Sequence, residues 1–379
     1  MNTVEYGKAI GFYLSAILAL AVCQSGCSDS NTNKTSSKSK ASGSAHQPFA
    51  GESYALLVGC TTYDNLGPES SLRGPVNDVS LMRDMLIKRF GFSDGNIRTL
   101  TEDPAAHARP LKNNIIKELR DLEQKLNSGD RVVLLLSGHG SQQPNDDPDD
   151  RDDPEPDGLD EIFCPADIDI SDDPGSPFAI NALTDDELRI SIKAIRKHGA
   201  FVWVIVDSCH SGSAVRGMEV YRQISPERLV GSEAISKARA KVKVGTRGIS
   251  RDDSVMDAAS PEEGGLIAIY AAQPNEPTLE MMLPDESEDS QWRGLLTYTL
   301  IEIITSAQSQ LTYRELVQRI HNEYIMAYGR LGPTPLIEGL DQQLQVLGQA
   351  DSPTRTSLVL TGSDLHSRPH AGRVIHARP

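Results

Sequence analysis

Two apolar runs, each breaking abruptly into a small polar loop, do most to set what this 379-residue chain can fold into. One is Arg131 to Gln142, R-V-V-L-L-L-S-G-H-G-S-Q, and the other is Phe201 to Gly212, F-V-W-V-I-V-D-S-C-H-S-G. Unbroken Val, Ile and Leu without polar alternation describe strands covered on both faces, which are central strands of a parallel sheet. Reactive groups of such sheets collect at the strands' carboxyl ends. His139 and Cys209 follow the two runs, and an imidazole beside a thiol is a base and nucleophile pair. A lone Cys is usually a small buried residue, and a lone His usually sits at the surface or in a hydrogen-bonded core. What separates these two is placement after a strand, among Gly and Ser that let a substrate backbone come close.

The rest of the chain alternates. A strand at Tyr54–Val58 precedes a helix at Pro75–Phe90, with Pro in its first turn and Val76, Val79, Met82 and Leu86 along one face. A strand at Asn96–Leu100 precedes a helix at Pro110–Leu126, with Ile115, Leu119, Leu122 and Leu126 aligned. Thr184 and Glu187 form a capping box before the Cys209 strand, Leu266–Ala271 reads as a further buried strand, and Thr312 with Glu315 caps a late helix. The pattern predicts an α/β fold, a three-layer sandwich with a mostly parallel central sheet, over residues 51–345.

S-G-H-G-S-Q at Ser137–Gln142 and D-S-C-H-S-G at Asp207–Gly212 resemble the caspase-like cysteine peptidases, and among them the metacaspases of bacteria, protists and plants. Three more blocks follow the family order: Y-A-L-L-V-G-C at Tyr54–Cys60, L-R-G-P-V-N-D-V at Leu72–Val79 and D-G-L-D-E-I-F-C-P-A-D at Asp157–Asp167. The resemblance implies a caspase-like fold and endopeptidase activity by a Cys209/His139 dyad, without a required cofactor. It places Asp78, Ser137 and Asp207 in the pocket for the residue before the scissile bond. Two carboxylates there would select Arg or Lys and exclude Asp. The amides of Gly138–His139–Gly140 and of Cys209 are the oxyanion donors to expect, with Gly140 and Cys209 as the pair.

The chain's net charge of −16 is local. Asp146–Asp173 holds fourteen acidic residues against one Arg, whereas Arg216–Arg251 holds nine Lys/Arg against three Glu. No basic footprint for nucleic acid emerges. By composition the acidic loop, 144–176, is a solvated surface segment. The resemblance adds a second reading, calcium activation, through Asp152, Asp153, Asp157, Asp160 and Glu161. Family members commonly carry an aspartate seven residues beyond the nucleophile, where this chain has Arg216, and no EF-hand spacing is present. The basic loop, 213–262, has little apolar content and reads as a flap or as a self-cleavage segment, with Lys237, Arg239, Lys241, Lys243, Arg247 and Arg251 as candidate sites.

Residues 1–27 read as a signal peptide of lipoprotein type, with Cys23 or Cys27 as the acylated residue, followed by a polar linker at 28–50. An exported, membrane-anchored envelope protein is therefore expected, with a secreted or periplasmic form as the alternative. Its partners would be peptide or protein substrates, and it would act as a monomer. Cys60 and Cys164 are sparse core cysteines that frame neither a disulfide nor a zinc site. Residues 346–379 read as a poorly packed tail. Two other classes stay open: an idle caspase-fold scaffold, against which intact His139 and Cys209 argue, and a serine hydrolase, for which no G-x-S-x-G follows a strand.

Overall fold

The computed structural model describes residues 51–146, 155, 157–171, 176–209, 220–241, 263–273, 276–284, 287–328, 333–339, 342 and 344–347, all within the compact unit Gln47–Pro379. In chain order the strands are β1 (Ser53–Gly59), β2 (Ile97–Leu100), β3 (Arg131–Ser137), β4 (Gly140–Pro144), β5 (Leu159–Phe163), β6 (Leu183–Thr184), β7 (Phe201–Asp207), β8 (Val220–Tyr221), β9 (Leu266–Tyr270), β10 (Leu279–Leu283), β11 (Gln291–Gly294) and β12 (Leu336–Glu338). The helices are α1 (Pro75–Phe90), α2 (Lys112–Glu123), α3 (Asp185–Lys197), α4 (Pro226–Val230), α5 (Ser232–Lys241), α6 (Leu295–Ser306) and α7 (Tyr313–Tyr328).

Six strands form the central sheet in the order β12-β9-β7-β3-β1-β2, all parallel except the β12 edge. The apolar runs account for both of its faces. Leu57, Val133, Leu135, Trp203, Ile205, Ile267 and Ile269 join one buried cluster with side chains of α1, α6 and α7. The alternate residues Leu56, Val58, Val132, Leu134, Val202 and Val204 join the other with α2 and α3. Strand residues point to opposite faces at period two, so an unbroken apolar strand needs cover on both sides, and a three-layer α/β sandwich provides it.

Local signals set the helix ends. Helix α1 starts at Pro75 and stops at Gly91, which takes φ 68° to end the helix, while the Thr184–Glu187 capping box opens α3 as expected. Thr312 and Glu315 likewise exchange hydrogen bonds at the start of α7.

Two expectations need correction. The basic segment 213–262 was expected to lack packing, yet β8, α4 and α5 lie within it. Ile224, Leu229, Ile235 and Ala238 are buried and give 220–241 an apolar side that the cation-rich composition hides. The tail was placed from residue 346, but Val346 and Leu347 are buried and bonded to Leu311 and Tyr313. The leader at 1–27 with Cys23 and Cys27, the linker at 28–50 and the tail beyond Leu347 lie outside the described residues. Among those described, no helix is long and apolar enough to cross a membrane.

Candidate active site

Register alone brings the His139 and Cys209 loops level at one end of the sheet. Strands β3 and β7 are hydrogen-bonded neighbours with Ser137 opposite Asp207, and His139 and Cys209 each lie two residues beyond that pair. The chain turns from β2 back across β1 to β3, so the topological switch point lies between β1 and β3, beside the strand that leads to His139.

His139 is buried and tightly held. Its Nε2 lies 2.8 Å from the Ser70 carbonyl, its backbone N–H donates to the Tyr63 hydroxyl at 2.8 Å, and its ring packs 4.9 Å from the Tyr63 ring. A carbonyl can only accept, so Nε2 carries the proton and Nδ1 keeps the lone pair. Burial lowers the imidazole pKa to about 4, with the backbone of Ser70 and of Arg222 opposing and the Arg222 charge reinforcing the shift. The ring is therefore neutral at pH 7, and its Nδ1 makes no hydrogen bond. The Cys209 thiol donates instead to the Glu276 carbonyl at 2.8 Å, and the Glu276 carboxylate is fastened to the Thr334 N–H at 2.6 Å.

Asp78, Ser137 and Asp207 are fully buried around one guanidinium, that of Arg222. Arg222 Nη2 donates to Asp78 Oδ2 at 2.6 Å, and Nη1 donates to Ser137 Oγ at 2.8 Å and to the Asp207 carbonyl at 3.1 Å. Asp207 Oδ1 stands 3.3 Å from Nη1, and a third carboxylate, Glu280, lies 3.7 Å from Nη2. Burial opposes the charge on Arg222, but Asp207, Asp78 and Glu280 outweigh it and keep the guanidinium protonated. Burial pushes Asp207 and Glu280 upward, with Arg222 pulling each back.

The backbone explains how these acids are tolerated. Asp78 lies in the first turn of α1 and accepts the Gly294 N–H, whereas Asp207 accepts the N–H and hydroxyl of Thr297 in the first turn of α6. Helix starts leave N–H groups without partners, and carboxylates satisfy them. Glu280 accepts the N–H groups of Arg73 and Gly74. Gly294 closes the pocket at close range, since a Cβ there would stand 2.4 Å from Arg222 Nη1 and 2.2 Å from Asp207 Oδ2.

The main chain of Arg222 is held as specifically as its side chain. Its carbonyl accepts the N–H of Gly140 and of Cys209, each at 3.1 Å, and its own N–H donates to the Thr278 carbonyl. Val220 and Tyr221, as β8, pair antiparallel with Glu280 and Leu279 of β10. The expected oxyanion pair, Gly140 and Cys209, thus converges on one carbonyl oxygen. The other two amides of that loop are engaged elsewhere, Gly138 with the Asp207 carbonyl and His139 with Tyr63.

Sequence reading missed Arg222, Glu280, Gly294, Ser70, Tyr63 and Glu276. It singled out the basic segment, but not Arg222, as the part that reaches Asp78, Ser137 and Asp207. Lys237, Arg239 and Lys241 lie on helix α5, where the backbone is engaged in helical hydrogen bonds, and Lys243, Arg247 and Arg251 lie outside the described residues.

The acidic residues divide. Asp152 and Asp153 lie outside the described residues, as does Arg216. Asp157 is exposed, with its carboxylate accepting from the Leu159 N–H and Gln142. Asp160 is buried, with its carboxyl pushed up to about 7 by burial and by Asp146. Of the three that are described, only Glu161 joins the grouping in which carboxylate oxygens approach within 4.8 Å, together with Glu155 and Asp185.

A family model described as metacaspase, peptidase C14 domain, matches residues 54–217. Metacaspase-2 of Arabidopsis thaliana is 30% identical over 284 residues, which are 73% of this chain and 57% of that protein. Metacaspase-6 of the same plant is 35% identical over 161 residues, 42% of this chain and 38% of its own length. The chain thus spans well under two thirds of either relative. The crystal structure of caspase-1 from Spodoptera frugiperda covers 79% of this chain and 91% of its own at 13% identity, with a TM-score of 0.46. The peptidase C14 match contains both central strands and both loops that face Arg222, and residues 54–217 thus carry a metacaspase-type peptidase C14 domain of the caspase-like family.

Proposed function

We propose that this protein is a cysteine endopeptidase that cleaves after Arg or Lys with Cys209 as nucleophile and His139 as base, and that it cleaves itself between Arg222 and Gln223. The observation that carries this reading is the double capture of Arg222, with its carbonyl between two amide N–H groups and its guanidinium among three carboxylates. In that arrangement the residue before a scissile bond is already seated. Arg fills the pocket better than Lys because its planar fork reaches Asp78, Ser137 and the Asp207 carbonyl together. An acidic side chain would face three like charges and is excluded.

The chemistry follows from the tautomer. Rotation of the Cys209 side chain away from the Glu276 carbonyl brings its thiol to Nδ1 of His139, which takes the proton. The sulfur attacks the carbonyl carbon, and the N–H groups of Gly140 and Cys209 hold the oxygen as it gains charge. The imidazolium, kept upright by its Nε2–H bond to Ser70, returns the proton to the departing amine. Water then hydrolyses the thioester by the same proton path.

Calcium belongs to the proposal as an activator only. The donors Glu155, Glu161 and Asp185 are all carboxylates, the chemistry that a hard cation favours. A bound ion would supply charge neutralisation among these three carboxylates. The test of the whole reading is a positional peptide library digested by the purified chain with and without calcium. We expect cleavage after Arg above Lys, faster with calcium. Cleavage after Asp would refute the pocket, and identical rates without calcium would remove the ion.

A pH prediction follows from the buried imidazole. Its base form persists down to about pH 4, so kcat/KM should hold its acid limb near 4 instead of near the ordinary histidine value of about 6.5. Stability shifts with the same group. The unfolded chain binds this proton below about 6.5 and the folded chain only below about 4, so stability is full above 6.5 and falls as pH drops through that window, by about 3 kcal/mol. Urea midpoints of wild type and His139→Asn at pH 7 and pH 4 check this. The variant should lose less, and equal losses would remove the imidazole as the cause.

A further inference from the structure

With the Arg222 carbonyl fixed between Gly140 and Cys209, the positions of the following residues are fixed too. Gln223 is the first residue beyond the bond and Ile224 the second. Gln223 forms a parallel bridge with Gly140. Ile224 is gripped on both sides of its peptide unit, its N–H donating to the Gly140 carbonyl at 3.0 Å and its carbonyl accepting from Ser141 Oγ at 2.7 Å. Its side chain is buried in the cluster that holds Tyr63, Leu66, Phe163 and Leu229. Gly140 therefore serves two places at once, its N–H at the scissile carbonyl and its C=O two residues further on. That coupling ties the position of the bond to whatever occupies the Ile224 recess.

We propose that Gly140 and Ser141, at the start of β4, form a subsite for the second residue after the scissile bond. It takes an extended peptide through two main-chain hydrogen bonds and admits an aliphatic side chain, and the chain's own Ile224 fills it here. The inference rests on the reading of Arg222–Gln223 as a scissile bond. The main-chain bonds are indifferent to sequence, so selectivity comes from the recess. A buried aliphatic group gains from leaving water, whereas a carboxylate would be desolvated without a partner.

The test uses the full chain and the peptides Val-Tyr-Arg-Gln-X-Ser with X as Ile, Ala or Asp, alongside a substrate that ends in an aminocoumarin amide directly after Arg. We expect kcat/KM in the order Ile, Ala, Asp, with Ile over Asp by at least about tenfold. Ser141→Ala should lower the ratio of Ile-peptide to amide hydrolysis about fivefold, whereas a general folding defect lowers both rates and leaves the ratio alone. If Ser141→Ala does not fold, the three peptides on the wild type still decide. Equal rates for Ile, Ala and Asp would overturn the subsite while leaving cleavage after Arg intact. Failure to cut any of the four substrates would instead remove the reading of the active site on which the subsite depends.

Discussion

Replacing Cys209 or His139 by alanine is expected to lower hydrolysis of Arg peptides by about four orders of magnitude or more and to leave the chain uncut between Arg222 and Gln223. The two losses should be alike and should not add in the double variant, because in the proposed mechanism the thiol gives its proton to the imidazole. Neither change should unfold the protein. The thiol contributes one bond to the Glu276 carbonyl, and His139→Ala leaves intact the N–H that the Tyr63 hydroxyl accepts. The measurements are initial rates on an Arg amide and the N-terminal sequence of any new fragment after long incubation. Ordinary turnover by either variant would end the assignment of these two residues. A fragment beginning at Gln223 in the Cys209→Ala protein would assign self-cleavage to some other agent.

The second large effect belongs to stability. In a Cys209→Ala background, where processing does not intrude, Arg222→Ala is expected to lower the unfolding free energy by about 3–5 kcal/mol. The reason is electrostatic. Removing the guanidinium leaves Asp78, Asp207 and Glu280 buried together with no cation among them. Arg222→Lys should lose less, since it keeps the charge but gives up the forked contact to Ser137 and the Asp207 carbonyl. Urea unfolding at pH 7 measures both. An Arg222→Ala protein as stable as its parent would mean that the acids find protons or water at no cost, and that the pocket does not need an occupant. With Cys209 restored, the same variant should yield no fragment starting at residue 223, and its vacated pocket should bind added Arg peptides more readily.

The parts of this site that were legible in the sequence are those written in short stretches. The runs at Arg131 and Phe201 declare buried neighbouring strands, and equal offsets of His139 and Cys209 from the paired residues Ser137 and Asp207 bring the loops level. Helix α1 was readable to the residue because Pro75 and Gly91 punctuate it. What stayed hidden is long-range. Asp78 and Arg222 are 144 positions apart, Gly74 and Glu280 are 206 apart, and no local pattern announces such pairings. The basic segment misled for a different reason. Its densest cations lie on α5, whereas an active-site cleft binds extended backbone, so the residue that enters is the one following the β-prone pair Val220–Tyr221. The expectation that this segment would not pack weighed its charge and overlooked Ile224, Leu229 and Ile235.

Asp207 does two jobs with one carboxylate, since the group that faces the Arg222 guanidinium also closes the start of α6 through the N–H and hydroxyl of Thr297. Anyone hoping to refit this pocket for a neutral or acidic side chain would begin by neutralising that acid, and would then find a core helix left without its N-terminal acceptor. Asp78 is entangled in the same way through the Gly294 N–H, and Glu280 through Arg73 and Gly74. Preference and foldability are therefore not separately adjustable at this pocket. A lineage changing its diet would first need a new partner for Thr297, and variants that simply swap the acids should be recovered as insoluble protein more often than as enzymes with a new taste.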